Sequence, residues 1–395
     1  MDLAAPQNAE KMMPNRIYLD HAATTPVRPE VVAAMEPYHA SLGYNPSSVH
    51  TEGRAARAAV DRAREQVAQS LGARPREIVF TGGGTEADNL AILGIARARR
   101  DRGRHVVATT IEHHAVLHAL DVLRDDGWEV TLVEVDEHGL VDPETFRAAL
   151  RPDTVLAAVM LANNEIGTIE PVARLAAIAR ERGVVLHADA VQAPGKLSIA
   201  VDELGIDSMA LAAHKFYGPK GVGVLYVRDG TPLAPLVVGG GQEHGLRSGT
   251  ENVAGIVGLA EALRLALAEQ PAYVAEVGGL RNSLQAALET IPDTRINGAG
   301  APRLPNNLSV SFAGVEADAL LIRLDLEGVA ASAGSACAAG SIQTSHVLQA
   351  IGLDPRFARG TIRLSLGNGL GAQAVGRVGE LLPGLVGEFR AAATV

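Results

Sequence analysis

The feature that most constrains the fold of this chain is a regular alternation of two kinds of segment between residues 77 and 227. Short apolar runs bounded by turn residues are typical of buried strands, and the longer segments between them are typical of helices. Strands that alternate with helices predict βαβ units and a largely parallel sheet. The predicted strands cover residues 77–81, 105–110, 129–135, 155–161, 184–188, 209–213 and 222–227, and the predicted helices between them cover 85–100, 115–123, a segment opened by Asp142-Pro143, and 172–182.

The pattern changes after residue 227. Two long helices are predicted over residues 252–268 and 274–288, followed by shorter strands near 308–312, 329–331 and 362–366 and a C-terminal helix from about Ala372. The predicted fold class is therefore α/β, with the mostly parallel sheet in a large domain of residues 16–262. A smaller α+β domain of residues 263–395 is expected to follow, and the N-terminal arm of residues 1–15 is expected to join it.

Composition narrows the class of protein. Of the 395 residues 47% are hydrophobic and 20% are charged, which is typical of a globular protein with an ample core. The net charge of -10 argues against broad binding to nucleic acids or anionic membranes. The longest apolar run, residues 155–162, is too short to span a bilayer, and the N-terminus lacks the apolar segment of a signal peptide. We therefore expect a cytoplasmic enzyme that binds neither nucleic acid nor membrane.

One lysine stands out because lysine is rare in this chain. Only four of the 35 Lys and Arg residues are lysines, and one of them, Lys215, lies two residues after a predicted buried strand. Arginine stays protonated, whereas a buried lysine can lose its proton and form a Schiff base with a carbonyl compound. Lys215 is thus a candidate catalytic amine, with a structural lysine at a strand end as the alternative.

A glycine-rich turn, Thr81-Gly-Gly-Gly-Thr85, lies between a predicted strand and a predicted helix. Backbone N–H groups at such a helix N-terminus favour a phosphate. The turn is not a P-loop, because no Gly-Lys-Ser/Thr follows, and it lacks the GxGxxG spacing of a dinucleotide site. A phosphate cradle and a plain turn both remain open here.

Asp189 ends another predicted strand, at the edge where open α/β sheets bind ligands, and Gln192 follows three residues later. The carboxylate could cap a helix or hold a protonated ring nitrogen. An aspartate for a pyridinium nitrogen together with a lysine for a Schiff base is the pairing that pyridoxal phosphate requires. With the glycine-rich turn as its phosphate cradle, the sequence favours this cofactor.

Three further residues are candidates for chemistry. His113 follows a strand and could stack on a flat cofactor and move protons, with metal binding by the His113-His114 pair as the weaker alternative. Arg363 points away from its apolar neighbours in a predicted strand and could bind a carboxylate, or form a surface ion pair. Cys337, the only cysteine, lies in a segment of Gly, Ala and Ser, which suits a nucleophile that must travel and equally a small-residue linker.

Together these motifs resemble the NifS/IscS-like cysteine desulfurases of the class V aminotransferase group, which have fold type I. The resemblance runs from Tyr18 to about Leu370. Its marks are Tyr18-Leu-Asp-His-Ala-Ala-Thr-Thr-Pro26, Asn45-Pro-Ser-Ser48, Thr81-Gly-Gly-Gly-Thr-Glu-Ala-Asp-Asn89, Glu112-His113, Asn163-Asn-Glu-Ile-Gly167, His187-Ala-Asp-Ala-Val-Gln192, His214-Lys-Phe-Tyr-Gly-Pro-Lys-Gly221, Gly239-Gly-Gly-Gln-Glu243, Arg247-Ser-Gly-Thr250 and Gly334-Ser-Ala-Cys337. The last motif, with the long loop up to Ser345-His-Val-Leu348, is similar to that of the family's first group.

The resemblance implies a role for each candidate. Lys215 would carry pyridoxal 5'-phosphate as a Schiff base and remove the substrate's Cα proton, Cys337 would accept the sulfur as a persulfide, and His113 would stack on the ring and handle the thiol proton. The carboxylate of L-cysteine would bind Arg363. The residues implied in cofactor binding are Gly84, Thr85 and His214 at the phosphate, Thr250 at the phosphate from the partner subunit of a homodimer, Asp189 at the ring nitrogen, and Gln192 and Asn164 at the ring oxygen or the substrate.

The implied activity is conversion of L-cysteine to L-alanine, with the sulfur passed on to an acceptor protein such as an iron–sulfur scaffold or a tRNA thiolation enzyme. No resident metal is implied, although Cys337 could transiently ligate an iron–sulfur cluster. Alternatives that use the same pocket are a selenocysteine lyase, a cystine lyase and a plain class V aminotransferase. A binding or scaffold protein that has lost catalysis is the alternative from another class.

One position departs from the family's pattern. The family usually has a serine two residues before the histidine of His214-Lys215, where its hydroxyl bonds the cofactor phosphate, but this chain has Ala212. The loss of one neutral hydrogen bond is expected to weaken cofactor binding by about 1 kcal/mol. We therefore expect weaker retention of the cofactor and an unchanged reaction.

Overall fold

The computed structural model describes residues 16–334 and 345–392. The strands are β1 (Ile17–Tyr18), β2 (Ile78–Thr81), β3 (His105–Thr109), β4 (Glu129–Val133), β5 (Thr154–Ala158), β6 (Val185–Asp189), β7 (Ser208–Ala212), β8 (Gly223–Val227), β9 (Thr294–Ile296), β10 (Asn307–Phe312), β11 (Val329–Ala330) and β12 (Thr361–Ser365). The α-helices are α1 (Pro29–His39), α2 (Thr51–Leu71), α3 (Gly84–Arg99), α4 (His114–Asp125), α5 (Pro143–Ala149), α6 (Val172–Glu181), α7 (Val201–Leu204), α8 (Val253–Leu288), α9 (Ala317–Leu326), α10 (His346–Ala350), α11 (Pro355–Ala358) and α12 (Ala372–Ala392).

A seven-stranded sheet forms the centre of the molecule, in the order β2-β8-β7-β6-β5-β3-β4. Its strands are parallel except β8, which runs antiparallel to both of its neighbours. The prediction of an α/β fold with a mostly parallel central sheet is thereby confirmed. The carboxyl ends of the parallel strands share one edge, where such folds bind ligands.

Burial on both faces explains why the central strands read as continuous apolar runs. Every residue of β3, β5, β6, β7 and β8 is buried. Side chains of α2 and α6 pack on one face of the sheet, and side chains of α3 and α4 pack on the other. Parallel sheets that are covered on both faces lack the apolar–polar alternation of a half-exposed strand.

Helix α8 corrects one expectation. The chain forms one helix of 36 residues where two helices, 252–268 and 274–288, were expected, and Pro271 lies inside it. Proline removes one backbone donor, which favours a break. Here the two halves are held by separate cores, because residues up to Leu263 pack under the large sheet and residues from Tyr273 onward pack in a second core. This tertiary packing outweighs the local preference.

The second core surrounds a small antiparallel sheet in the order β12-β10-β9, and strand β1 pairs with β11 beside it. Strand β9 was not predicted. Ile17 and Leu19 of the N-terminal segment pack in this core with residues of α8, α9 and α12. The boundary predicted at residue 262 falls inside α8 and stays a prediction.

Within residues 16–334 and 345–392, no helix combines the length and the hydrophobicity that crossing a bilayer requires.

Candidate active site

A cavity of about 290 Å³ opens at the carboxyl edge of the large sheet. The elements that end at this edge deliver its polar side chains, because β6 ends at Asp189 and a single 3-10 turn after β7 contains Lys215. The predicted site residues that line this one cavity are Gly84, Thr85, His113, Asn164, Asp189, Gln192, His214, Lys215 and Arg363. Residues far apart in the chain thus converge on one site.

Backbone carbonyl groups hold the Lys215 side chain, and no carboxylate among the described residues forms an ion pair with it. Its Nζ donates to the carbonyl oxygens of Ala22 at 2.6 Å and Ala23 at 2.8 Å. Burial, and then the positive charge of Arg363, lowers the pKa of Lys215 to about 8, against the opposing effects of Asp189 and Asp20. A substantial neutral fraction near neutral pH is what a nucleophilic lysine needs.

Asp189 lies in the same cavity, with its side chain buried. Oδ1 accepts a hydrogen bond from the backbone N–H of Val191 at 2.9 Å. Burial raises the pKa of Asp189, and the neighbouring His113 and Lys215 oppose that rise. A buried carboxylate of this kind is stabilised in its charged form by a cation, and a protonated ring nitrogen supplies one.

A buried polar chain underlies Asp189 and was not predicted. His187 Nδ1 is 2.9 Å from Ser208 Oγ, and His187 Nε2 is 3.1 Å from Asp88 Oδ1. Burial lowers the pKa of His187 to about 3 and, with a contribution from Asp189, raises that of Asp88 well above its ordinary value. The sequence does carry a signal for these residues, because Asp88 lies in the Thr81–Asn89 motif and His187 begins the His187–Gln192 motif.

His113 caps helix α4. Its Nδ1 accepts a hydrogen bond from the backbone N–H of Ala115 at 3.1 Å, which leaves Nε2 as the nitrogen that can carry a proton. Burial lowers the pKa of His113, and Asp189 opposes this. The neutral ring is suited to stacking and proton transfer.

Among the residues that the structure describes, no group of three His, Cys, Asp or Glu side chains could hold a metal ion.

The start of helix α3 forms one end of the cavity. The first N–H groups of a helix have no partner within it and favour an anion. Gly84 is required by close packing, because a Cβ there would lie 2.7 Å from Cγ2 of Val191. Thr85 follows it and is exposed to the open side of the cleft.

His214 and Ala212 complete this end of the cavity. His214 Nδ1 is 3.1 Å from the hydroxyl of Thr24. Burial, together with the charges of Lys215 and Lys220, lowers the pKa of His214 to about 4, so the ring is neutral. Ala212 lines the cavity with a methyl group and offers no hydroxyl.

Gln192 is anchored beside Lys215. Its Nε2 donates to the carbonyl oxygen of Ala22 at 3.0 Å, the same oxygen that accepts from Lys215. Both side chains are therefore fixed by the turn that follows β1.

Arg363 enters the cavity from the small sheet and is only 2% exposed. Nη2 is 2.8 Å from Oδ1 of Asp20, and Nη1 donates to the carbonyl oxygens of Asn164 and Gly334, both at 3.0 Å. The buried Nε has no hydrogen-bond partner among the described residues. The Arg363 side chain is buried and the Asp20 side chain is 22% exposed, so their ion pair does not lie on the open surface. The orphaned Nε suits an anionic ligand.

Two predicted residues are not placed in the cavity. Thr250 is exposed in the segment between β8 and α8 and does not line it. Cys337 lies outside the described residues. The residues that flank its segment meet at Glu165, because Ser345 Oγ donates to Glu165 Oε2 at 2.6 Å and a Cβ on Gly334 would lie 3.5 Å from that same oxygen. Glu165 was not predicted, although it lies in the Asn163-Asn-Glu-Ile-Gly167 motif.

The family profile described as aminotransferase class-V matches residues 17–378. The chain belongs to the class-V aminotransferase family. Within this family, the chain is similar to one named relative and to two solved structures. A cysteine desulfurase IscS from Dictyoglomus turgidum is 49% identical over 356 residues, which are 90% of each chain.

Two solved structures resemble this family member over most of its length. One, named a NifS-like protein, has a TM-score of 0.87 at 37% identity and covers 96% of this chain and 100% of its own. The other, SspA in complex with cysteine, has a TM-score of 0.80 at 38% identity and covers 89% of this chain and 99% of its own. The recognition of the family from the sequence motifs is thereby confirmed.

The cofactor of this class-V enzyme is pyridoxal 5'-phosphate, and the cavity fits it. The cofactor needs an amine for its carbonyl carbon, a carboxylate for its ring nitrogen and an anion site for its phosphate. Lys215 and Asp189 supply the first two, and the N-terminus of α3 with the close-packed Gly84 supplies the third.

Proposed function

We propose that this protein removes the sulfur of L-cysteine, leaving L-alanine and a persulfide on Cys337. The protein is a pyridoxal phosphate-dependent cysteine desulfurase. The observation that carries the proposal is the convergence of Lys215, Asp189 and Arg363 on one cavity. Relatives that bear the name cysteine desulfurase IscS support the same reaction.

When bound, pyridoxal phosphate withdraws electrons from the substrate's α-carbon and so allows its proton to leave. The chain's residues hold the cofactor and move protons around it. Lys215 would hold the cofactor covalently, and its neutral amine would accept the substrate's Cα proton. Asp189 keeps the ring nitrogen protonated, because a buried carboxylate favours a bound cation.

The phosphate is assigned to the N–H groups of Gly84 and Thr85 and to His214. Gln192 and Asn164 are assigned to the ring oxygen or the substrate, and His113 to the ring face. Thr250 is assigned to the phosphate of the partner subunit in a homodimer, which agrees with its exposure outside its own chain's cavity.

The substrate carboxylate is assigned to Arg363. The guanidinium already pairs with Asp20, so the carboxylate would meet a cation whose position is fixed in advance. Preorganised donors of this kind bind an anion without the cost of ordering a flexible side chain.

Sulfur transfer is assigned to Cys337. Its thiolate attacks the substrate sulfur, so that an S–S bond forms and the substrate's C–S bond breaks, with His113 handling the thiol proton. Cysteine and the enzyme thiol together give alanine and the enzyme persulfide, which balances atoms and electrons. The flanking residues Gly334 and Ser345 meet at Glu165 beside the cavity, which supports this assignment.

The persulfide would then pass to an acceptor protein, such as an iron–sulfur scaffold or a tRNA thiolation enzyme. We further propose a homodimer in the cytoplasm, a large domain of residues 16–262 and a small domain of residues 263–395 with the arm of residues 1–15.

Turnover on several substrates tests the proposal. The full chain, loaded with pyridoxal phosphate, is expected to form alanine and sulfide from L-cysteine without any keto acid. Selenocysteine and cystine, offered separately at equal concentration, are expected to give lower kcat/KM. Alanine formation that requires a keto acid would identify an aminotransferase, and a higher kcat/KM on selenocysteine or cystine would identify the corresponding lyase.

A further inference from the structure

A second buried lysine lies directly behind the candidate cofactor lysine. Lys196 is 6% exposed, and its Nζ donates to the backbone carbonyl oxygens of Gln192 at 3.1 Å and Lys215 at 3.3 Å. Within the described part of the chain no carboxylate forms an ion pair with it. A buried amine without a counterion is costly, so its retention calls for a role.

Gln192 and Lys215 are connected to each other through hydrogen bonds to two common residues, Ala22 and Lys196. On the cavity side, the carbonyl oxygen of Ala22 accepts from the side chains of both Gln192 and Lys215. On the opposite side, Lys196 bonds the main-chain carbonyls of the same two residues. Two segments from different strand ends are thus tied together twice.

We propose that Lys196 is a positioning residue for Lys215: its amine fixes the backbone of Lys215 and Gln192 at a set spacing and so holds the Lys215 amine in the cavity where it would take up the cofactor. The inference rests on the proposed function, because it assumes that Lys215 takes up pyridoxal phosphate.

The choice of lysine over arginine at this position agrees with such a role. The chain uses arginine for 31 of its 35 Lys and Arg residues, yet position 196 is lysine. An arginine would bring five N–H donors on a planar group into a space with two acceptors, which would leave buried donors unsatisfied. A lysine amine meets two carbonyls with two N–H groups.

The bracing does not depend on charge. Burial, and then the charge of Lys215, lowers the pKa of Lys196 to about 7, so the amine is largely neutral where Lys215 begins to lose its proton. A neutral amine still has two N–H donors for its two acceptors. The charged and titratable groups that face these two lysines are Asp20, His21, His113, Asp189, His214 and Arg363.

Cofactor uptake by the full-length apoprotein tests the proposal. Absorbance follows the capture of pyridoxal phosphate at a series of pH values, and each rate is normalised to folded protein. In Lys196→Met the rate at the high-pH plateau is expected to fall about tenfold, because a displaced reacting group costs up to about a hundredfold. The midpoint of the pH profile is expected to move by less than about one pH unit, since a neutral Lys196 acts on Lys215 through geometry.

Arg281→Met serves as the matched control, because Arg281 is a partly buried cation that bonds the backbone carbonyl of Leu304 away from the cavity. It is expected to leave the plateau rate unchanged. A Lys196→Met plateau within twofold of wild type would overturn the proposal, and so would a shifted midpoint with an unchanged plateau, which indicates an electrostatic role only.

Lys196→Gln provides the second variant, for the case that Lys196→Met does not fold. Its amide keeps two N–H donors without charge, and we expect a plateau within about threefold of wild type and an unchanged midpoint. A moved midpoint would contradict the bracing role. Failure of the proposed function is distinguishable, because then wild type takes up no cofactor or Lys215→Ala takes it up equally well.

Discussion

The two sides of the cavity are built in different ways. One side, the strand-end side, consists of side chains at the ends of parallel strands, such as Asp189 and Lys215, on backbone that is buried under helices. The other side, the small-sheet side, is formed by Arg363 from a three-stranded antiparallel sheet and by the residues that flank the Cys337 segment. The first side is set by the central sheet, whereas the second depends on contacts between distant segments.

Under the proposed function, the two sides have separate parts in the reaction. The strand-end side would hold the cofactor's ring and phosphate, which stay fixed. The small-sheet side would hold the substrate carboxylate and the sulfur, which change in each turnover. Changes on the first side should therefore impair cofactor uptake, and changes on the second should spare uptake and impair turnover.

The largest effect is expected for Lys215→Ala on the strand-end side. Without the amine, covalent attachment of pyridoxal phosphate and alanine formation should both be lost, which absorbance and an amino-acid assay would show. Lys215→Arg should fail equally, because guanidinium does not lose its proton. Turnover by either variant at more than a few per cent of the wild-type rate would contradict the assignment.

Arg363→Met on the small-sheet side should separate the two functions. Loss of a charged, forked hydrogen-bond donor costs about 1.5–3 kcal/mol, so kcat/KM for L-cysteine should fall about a hundredfold. Cofactor affinity should stay within about twofold of wild type when absorbance titration is done well above the pKa of Lys215, because the charge of Arg363 also lowers that pKa. Arg363→Lys keeps the charge but not the two parallel N–H donors, so its kcat/KM should lie between the values of wild type and Arg363→Met. A fall in cofactor affinity as large as the fall in kcat/KM would contradict the separate roles of the two sides.

The pH dependence of cofactor uptake should report on Lys215. Only the neutral amine reacts, and the pKa of Lys215 is lowered to about 8. The uptake rate of the apoprotein should therefore rise about tenfold per pH unit below that value and become constant above it. Stopped-flow absorbance measures this directly. A rate that still rises steeply at pH 10 would show that the amine is not activated.

The smallest effect is expected for Ala212→Ser, also on the strand-end side. A hydroxyl at the end of β7 would add one neutral hydrogen bond to the phosphate, worth about 1 kcal/mol, or about fivefold in cofactor affinity. KM for L-cysteine should not change. An affinity equal to or below that of wild type would show that position 212 does not reach the phosphate.

The two sides also differ in how far the sequence could predict them. Asp189 and Lys215 were predicted because each ends a short apolar run, and strand ends of a parallel sheet share one edge. The ion pair between Asp20 and Arg363 joins residues 343 positions apart, so no local pattern indicates it. Lys196 is noticeable in the sequence because lysine is rare in this chain. Its proposed role, however, depends on the two backbone carbonyls that its amine bonds in the folded protein.

The fold shows the same limit. The alternation of segments sufficed for the central sheet, since fully buried strands and helices of ordinary length have distinct patterns. The prediction of two helices in place of α8 is wrong, because the local preference of Pro271 for a break is outweighed by the two cores that hold the halves of the helix. Strand β9, three residues long and only partly buried, has no pattern that distinguishes it from a loop.

The most direct test of the account is the mass of the Cys337 peptide after turnover. The full chain is loaded with pyridoxal phosphate, incubated with L-cysteine without a reducing agent, and analysed by mass spectrometry. The account predicts one added sulfur atom on Cys337, with alanine formed in equal amount, and no added sulfur in Cys337→Ala, which should still take up the cofactor. Sulfide release by Cys337→Ala at the wild-type rate, or wild-type turnover without added sulfur on Cys337, would contradict it.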